Sequence, residues 1–92
     1  MASQKKSKTE QKLPKWFKGM VYKEGETVTN PFSGESYELT GIELSLYDFI
    51  IGCQMVFDTV PDTMTSKRIK EFQQALMWFR QNNPEAYYVL LD

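Results

Sequence analysis

The sequence contains no histidine and a single cysteine, Cys53, and both scarcities restrict the chemistry open to the chain. Histidine is the usual general base near neutral pH and the commonest metal ligand in proteins. Without it, His-dependent nucleophilic pairs are excluded, and one cysteine cannot close an internal disulfide. We therefore expect a protein that is not an enzyme and holds no cofactor or metal, with Cys53 serving as a small core residue.

Long apolar runs are also missing. A helix that crosses a bilayer needs about 18 or more predominantly apolar residues, and no such stretch occurs in the chain. The polar, lysine-rich N-terminus lacks the apolar segment of a secretory signal. These absences predict a protein without membrane association that resides in the cytoplasm.

The charge is divided along the 92 residues. Residues 1 to 20 hold six lysines and one glutamate, for a net charge of +5, whereas residues 21 to 92 have a net charge of −6. The first twelve residues contain no aromatic or branched apolar side chain, so they cannot bury enough surface to offset the entropy cost of ordering. The sequence predicts a disordered basic tail over 1–12 and a single small domain over 13–92.

The most apolar segment, residues 40 to 58, predicts a central helix. Thr40 and Glu43 have the spacing of a capping box at its start, and Pro61 disfavours helical geometry in the residue before it. Apolar residues occur on nearly all sides of this helix, so it must be covered on several sides. Gly52 in its middle suggests that another backbone crosses closely there.

Residues 21 to 39 have the pattern of a β-hairpin. Threonine and valine favour strands, and the segment NPFSGES supplies turn residues that place the tip near Phe32 to Gly34. Val21 and Tyr22 suggest a third short strand. Two strands alone are marginally stable, so one face must pack on the central helix, with the candidates Val28, Tyr37 and Leu39.

The remaining chain predicts two further helices. Residues 66 to 81 are amphipathic, and the inward positions are Ile69, Phe72, Leu76 and Phe79. Pro84 starts a short last helix. The predicted fold class is α+β, with an N-terminal β-hairpin packed on a central apolar helix, followed by an amphipathic helix and a short C-terminal helix.

Self-association is one expected function of the central helix. If the hairpin and the later helices do not cover every side of it, a second copy would complete the burial and form a homodimer. The candidate interaction residues are Leu44, Tyr47, Ile51, Gly52 and Met55.

Nucleic-acid binding is the alternative function. Lysines interleaved with aromatic residues occur where bases stack on rings beside a charged groove. The candidate basic arm consists of Lys5, Lys6, Lys8, Lys12, Lys15, Trp16, Phe17 and Lys18. The acidic remainder of the chain would repel a duplex, so this binding would be weak and non-specific.

The chain contains four segments in the order KWFKG, NPFSGE, ELSLYDFIIGCQM and FQQALMWFRQNNPEAYYVLLD. In the order of these segments it resembles a small protein of marine tailed bacteriophages, especially those that infect cyanobacteria. The resemblance covers residues 14 to 92 and carries over no activity. It implies a phage-encoded protein in the cytoplasm of the bacterial host, with the virion as the alternative location. Together these observations predict a non-enzymatic protein-interaction module that binds a host or phage protein.

Overall fold

The computed structural model describes residues 11–91 and shows an α+β fold of a hairpin followed by helices. Most of the predicted basic tail, residues 1–10, lies outside the described part. The elements, in chain order, are β1 (Glu26–Thr29), β2 (Ser36–Leu39), α1 (Gly41–Thr59), a 3₁₀ turn (Pro61–Thr63), α2 (Ser66–Asn82), α3 (Pro84–Ala86) and a π-helical turn (Tyr87–Leu91). The predicted fold class and the order of its elements are confirmed.

The central helix α1 begins at the predicted capping box. The Thr40 hydroxyl accepts a hydrogen bond from the Glu43 amide at 3.2 Å, and the Glu43 carboxylate accepts one from the Thr40 amide at 2.9 Å. These reciprocal bonds satisfy two amides that a helix start leaves without intrahelical partners. The helix ends at Thr59, two residues before Pro61.

The hairpin pairs β1 with β2 in antiparallel register, with Val28 opposite Tyr37. The predicted facing is confirmed, because Leu39 is buried and both Val28 and Tyr37 pack on the core. At the predicted tip, the Gly34 amide donates to the Asn30 carbonyl oxygen at 2.8 Å. Gly34 has a φ of 81°, in the left-handed region that glycine adopts without steric cost.

The core joins the hairpin, α1, α2 and the C-terminal turn. Its buried side chains are Leu39, Leu44, Leu46, Ile50, Ala75, Phe79, Ala86 and Leu90. Phe72 and Leu76 pack against this cluster as half-buried residues. The predicted packing of α2 on α1 is therefore confirmed for these residues and for the fully buried Phe79, whereas Ile69 is half-buried outside this cluster.

The segment before the hairpin crosses α1 at Gly41. A Cβ added at Gly41 would lie 2.5 Å from the Tyr22 carbonyl oxygen, so only glycine fits there. The Tyr22 amide donates to the Ser45 hydroxyl at 2.9 Å instead of joining a sheet. The prediction of a third strand at Val21 and Tyr22 is wrong, since within residues 11–91 the sheet has two strands.

Gly52 does not mark a backbone crossing. A Cβ added at this position would meet no atom within 4 Å, and the residue is exposed. The predicted close approach at Gly52 is wrong within this chain, because the crossing backbone meets the first residue of α1 instead.

The folded part of the chain begins before residue 13. The Gln11 amide donates to the Glu43 carboxylate at 2.7 Å, and the Lys12 carbonyl oxygen accepts a hydrogen bond from the Trp78 indole at 3.2 Å. Residues 11 and 12, which the sequence assigned to the tail, therefore contact the domain. None of the helices formed by the described residues has the length and apolar character needed to cross a bilayer.

Candidate functional site

A groove of about 500 Å³ lies between β1 and the first half of α1, and we call it the β1–α1 groove. The four residues of β1 form one wall. The other wall is formed by Leu44, Tyr47 and Asp48 of α1, and Tyr22 also lines the space. The crossing of the chain at Gly41 brings Tyr22 to α1, which positions it beside this wall.

The backbone of β1 has unpaired hydrogen-bonding groups along this groove. The Asn30 amide donates to the Glu35 carbonyl oxygen at 2.7 Å, which makes these residues a hydrogen-bonded pair of the hairpin. Such pairs alternate along an antiparallel ladder, so Val28 and Tyr37 form the next one. The amide and carbonyl groups of Thr27 and Thr29 therefore point away from β2. Within the described chain β1 has no second strand partner, and it is an edge strand.

The charge of the groove is negative. Glu26 and Asp48 are among its eight lining residues, and none of the eight is basic. Burial, followed by the negative charges of Asp48 and Glu26 and a hydrogen bond to Asp48, raises the pKa of the Tyr22 phenol. Burial also raises the pKa of Tyr47. The groove therefore combines carboxylates with protonated phenols, a surface suited to cations and hydrogen-bonding groups.

The structure divides the five predicted interaction residues along α1. Leu44 and Tyr47 line the groove, and Leu44 is buried within the chain. Ile51 is half-buried, whereas Gly52 and Met55 are exposed beyond the groove. Because the chain itself covers Leu44, this part of α1 offers a second copy less apolar surface than the sequence pattern predicts.

The basic arm is only partly described by the structure. Lys5, Lys6 and Lys8 lie outside residues 11–91, and the exposed members are Lys12, Lys15 and Lys18. Trp16 and Phe17 are half-buried, with ring centroids 5.8 and 5.6 Å from that of Phe49. Both rings contact the domain, which reduces the ring surface that is open to bases.

A buried polar cluster around Glu43 was not predicted. Glu43 is 1% exposed, and its carboxylate accepts hydrogen bonds from the amides of Asn83 at 2.9 Å and Gln11 at 2.7 Å, besides that of Thr40. The cluster joins the N-terminal segment, α1 and α3. Glu43 belongs to the predicted capping box and Asn83 directly precedes Pro84 at the start of the predicted last helix, but no local signal indicates that the two residues meet.

Within residues 11–91, the cysteine and the other carboxylates do not gather into a metal site. Cys53 is buried as predicted, and burial raises the pKa of its thiol, which disfavours the nucleophilic thiolate. No group of three or more Cys, Asp or Glu residues in the described chain is placed to hold a metal ion. The β1–α1 groove is therefore the candidate functional site.

Comparison with known proteins does not assign the chain to a family. No family model matches it, and no curated protein or solved structure matches it. The phage origin suggested by the segment order therefore stays a prediction, and the function rests on the geometry of the groove.

Proposed function

We propose that this protein is a non-enzymatic interaction module that binds an extended segment of a partner polypeptide in the β1–α1 groove. The observation that carries the proposal is the unpaired edge of β1 beside the groove. A peptide can add a strand to such an edge, where main-chain hydrogen bonds give affinity and a neighbouring groove selects its side chains. An unpaired edge strand can pair with other chains and promote aggregation. Use of the edge for binding would explain why it is not covered by another element.

The bound segment would pair with Thr27 and Thr29. Each of these residues directs one amide and one carbonyl group outward, which together offer four hydrogen-bonding groups to an added strand. Alternate side chains of an extended segment point to opposite faces, so every second one would face Tyr47 and Asp48.

The charge of the groove indicates a basic partner. Lysine or arginine side chains facing Glu26 and Asp48 would form charge-assisted contacts, whereas acidic side chains would be repelled. The same charge disfavours nucleic acid at this site, because phosphates would meet carboxylates. The partner is a host or phage protein if the predicted origin holds.

Two variants of Thr27 test the mode of binding. Thr27→Pro removes the outward amide without breaking a hydrogen bond between β1 and β2, and an edge strand tolerates proline. Thr27→Val keeps the amide and is the matched control. The probes are two short synthetic peptides, one alternating lysine with valine and one alternating glutamate with valine. Thr27→Pro should bind the lysine peptide about tenfold more weakly than Thr27→Val does, because proline loses a backbone hydrogen bond to the peptide and its ring conflicts sterically with the added strand.

Two outcomes would contradict the proposal. Equal affinity of the wild-type protein for the glutamate and lysine peptides would remove the argument from charge. Equal binding of the lysine peptide by Thr27→Pro and Thr27→Val would show that the β1 edge is not used. Thermal melts of both variants control for unfolding.

A further inference from the structure

The tip of the hairpin displays an aromatic ring in solvent. Phe32 is 97% exposed, which is the greatest exposure among the large apolar residues of the described chain. Single exposed apolar side chains are common on protein surfaces, so the exposure of Phe32 becomes informative only together with a fixed tip and a receptor of matching chemistry. Because almost none of its surface is covered, Phe32 does not fill any cleft of its own chain.

Hydrogen bonds hold this tip in one conformation. The Phe32 amide donates to the Asn30 side-chain oxygen at 2.8 Å, and the Glu35 amide donates to the Ser33 hydroxyl at 3.1 Å. The Asn30 side chain also donates to the Val89 carbonyl oxygen at 2.9 Å, which fastens the tip to the C-terminal turn. A pre-organised backbone at the tip reduces the conformational entropy that is lost when the tip binds.

A cleft of about 350 Å³ on α2 and the C-terminal turns has matching chemistry. Met77 and Tyr88 line it with 59% and 62% of their surfaces exposed, and Tyr87 and Pro84 add further apolar surface. The Arg80 guanidinium lies 5.6 Å from the centre of the Tyr87 ring. Methionine, tyrosine and arginine are enriched at the centres of protein interfaces, so this composition is typical of a binding surface.

We propose that the Phe32 tip of one copy inserts into the Tyr87–Tyr88 cleft of a second copy. The ring would contact Met77 and Tyr88, and the Glu35 carboxylate beside it would meet the Arg80 guanidinium. The β1–α1 groove is a poorer receptor for this tip, because its carboxylates would repel Glu35. The contact uses neither the β1 edge nor the exposed end of α1, so it is independent of the proposed peptide binding.

The oligomeric state of Phe32→Ala tests this contact. We expect the wild-type mass to rise with concentration in analytical ultracentrifugation, and Phe32→Ala to weaken the association about 30-fold, the effect typical of a central interface residue. Because Phe32 is exposed, its thermal melt should match the wild type. Met55→Ala is the matched control, since Met55 is an exposed apolar side chain on α1, and it should associate normally.

Mixing two variants makes the test specific. Phe32→Ala keeps an intact cleft and Tyr88→Ala keeps an intact tip. At a concentration where the wild type associates, each variant alone should therefore be mainly monomeric, while their mixture forms a species with one copy of each. Three results would overturn the proposal: a monomeric wild type up to millimolar concentration, failure of the mixture to form the mixed species, or dissociation by Met55→Ala but not by Phe32→Ala. The last result would return self-association to the central helix.

Discussion

Removing the Glu43 carboxylate should destabilise the protein strongly, although the residue lies outside the proposed binding surfaces. In Glu43→Ala the buried Asn83 amide loses its acceptor, which costs about 1–3 kcal/mol, and the Thr40 amide loses its cap bond at about 1 kcal/mol. Gln11 is half-buried, so water can replace much of its lost bond. The expected total is roughly 2–4 kcal/mol.

Such a loss is a large part of the stability of a domain of this size, which is typically about 5–15 kcal/mol. At about 4–8 °C per kcal/mol for a chain of this length, the melting temperature should fall by roughly 10–30 °C. Circular dichroism during heating, repeated in urea, measures the change. Glu38→Ala is the matched control, because Glu38 is an exposed carboxylate on the hairpin, and it should change the melting temperature little.

Two further variants resolve the origin of the effect. Glu43→Gln keeps the size of the side chain but turns one acceptor into a donor, so its loss should be intermediate. In a double-mutant cycle, Glu43→Ala and Asn83→Ala should be non-additive by about 0.5–3 kcal/mol, as expected for residues in direct contact. If Glu43→Ala melted within about 2 °C of the wild type, burial of the carboxylate would cost as much as its hydrogen bonds contribute, and this reasoning would be refuted.

Three other perturbations follow from the packing and from the phenols. Phe79→Ala, at a fully buried position, should cost about 3–5 kcal/mol in urea unfolding, and a loss below about 1 kcal/mol would contradict the described core. Gly52→Ala should stabilise α1 by about 0.5–1 kcal/mol, whereas Gly41→Ala should destabilise it. The opposite order of melting temperatures would show that the backbone does not cross α1 at Gly41. Burial and then the hydrogen bond to Glu85 raise the pKa of Tyr37 to about 12 from 10.0, so the contribution of the protonated phenol to folding stability is complete below pH 10 and disappears as the pH rises through 12. Tyr37→Phe should therefore lose less stability than the wild type at alkaline pH, and an equal loss would refute the assignment.

Much of the fold was predictable because its signals are local. The capping box and Pro61 define the ends of α1 within a few residues of sequence. The hairpin tip likewise depends on Asn30 and Gly34, which are close neighbours in the chain. Helical periodicity also placed Phe79 on the inner face of α2. These features need no information about distant contacts.

The features that the sequence did not predict depend on distant contacts. Glu43 and Asn83 lie 40 residues apart, and each is explained locally as a helix-capping residue. Gly41 and Gly52 both lie in the predicted central helix, and only the path of the chain at Tyr22 shows which of them is crossed.

The candidate site shows the same division. The apolar pattern of α1 indicated Leu44 and Tyr47, and both line the groove. The edge position of β1 was not predictable, because a strand pattern does not show whether a third strand will pair with it. The sequence therefore indicated two residues of the α1 wall as candidates for self-association, but it did not predict the groove, which depends on the sheet topology.

The most direct test of peptide binding at the β1 edge is an amide NMR titration of the wild-type protein with the lysine–valine peptide. We expect the largest chemical-shift changes at the amides of Thr27 and Thr29, with smaller changes at Tyr47 and Asp48. Amide hydrogen exchange at the two threonines should slow as a new strand pairs with them. Shift changes confined to the Tyr87–Tyr88 cleft, or two threonine amides that exchange as fast with the peptide as without it, would contradict the claim that this edge binds a polypeptide.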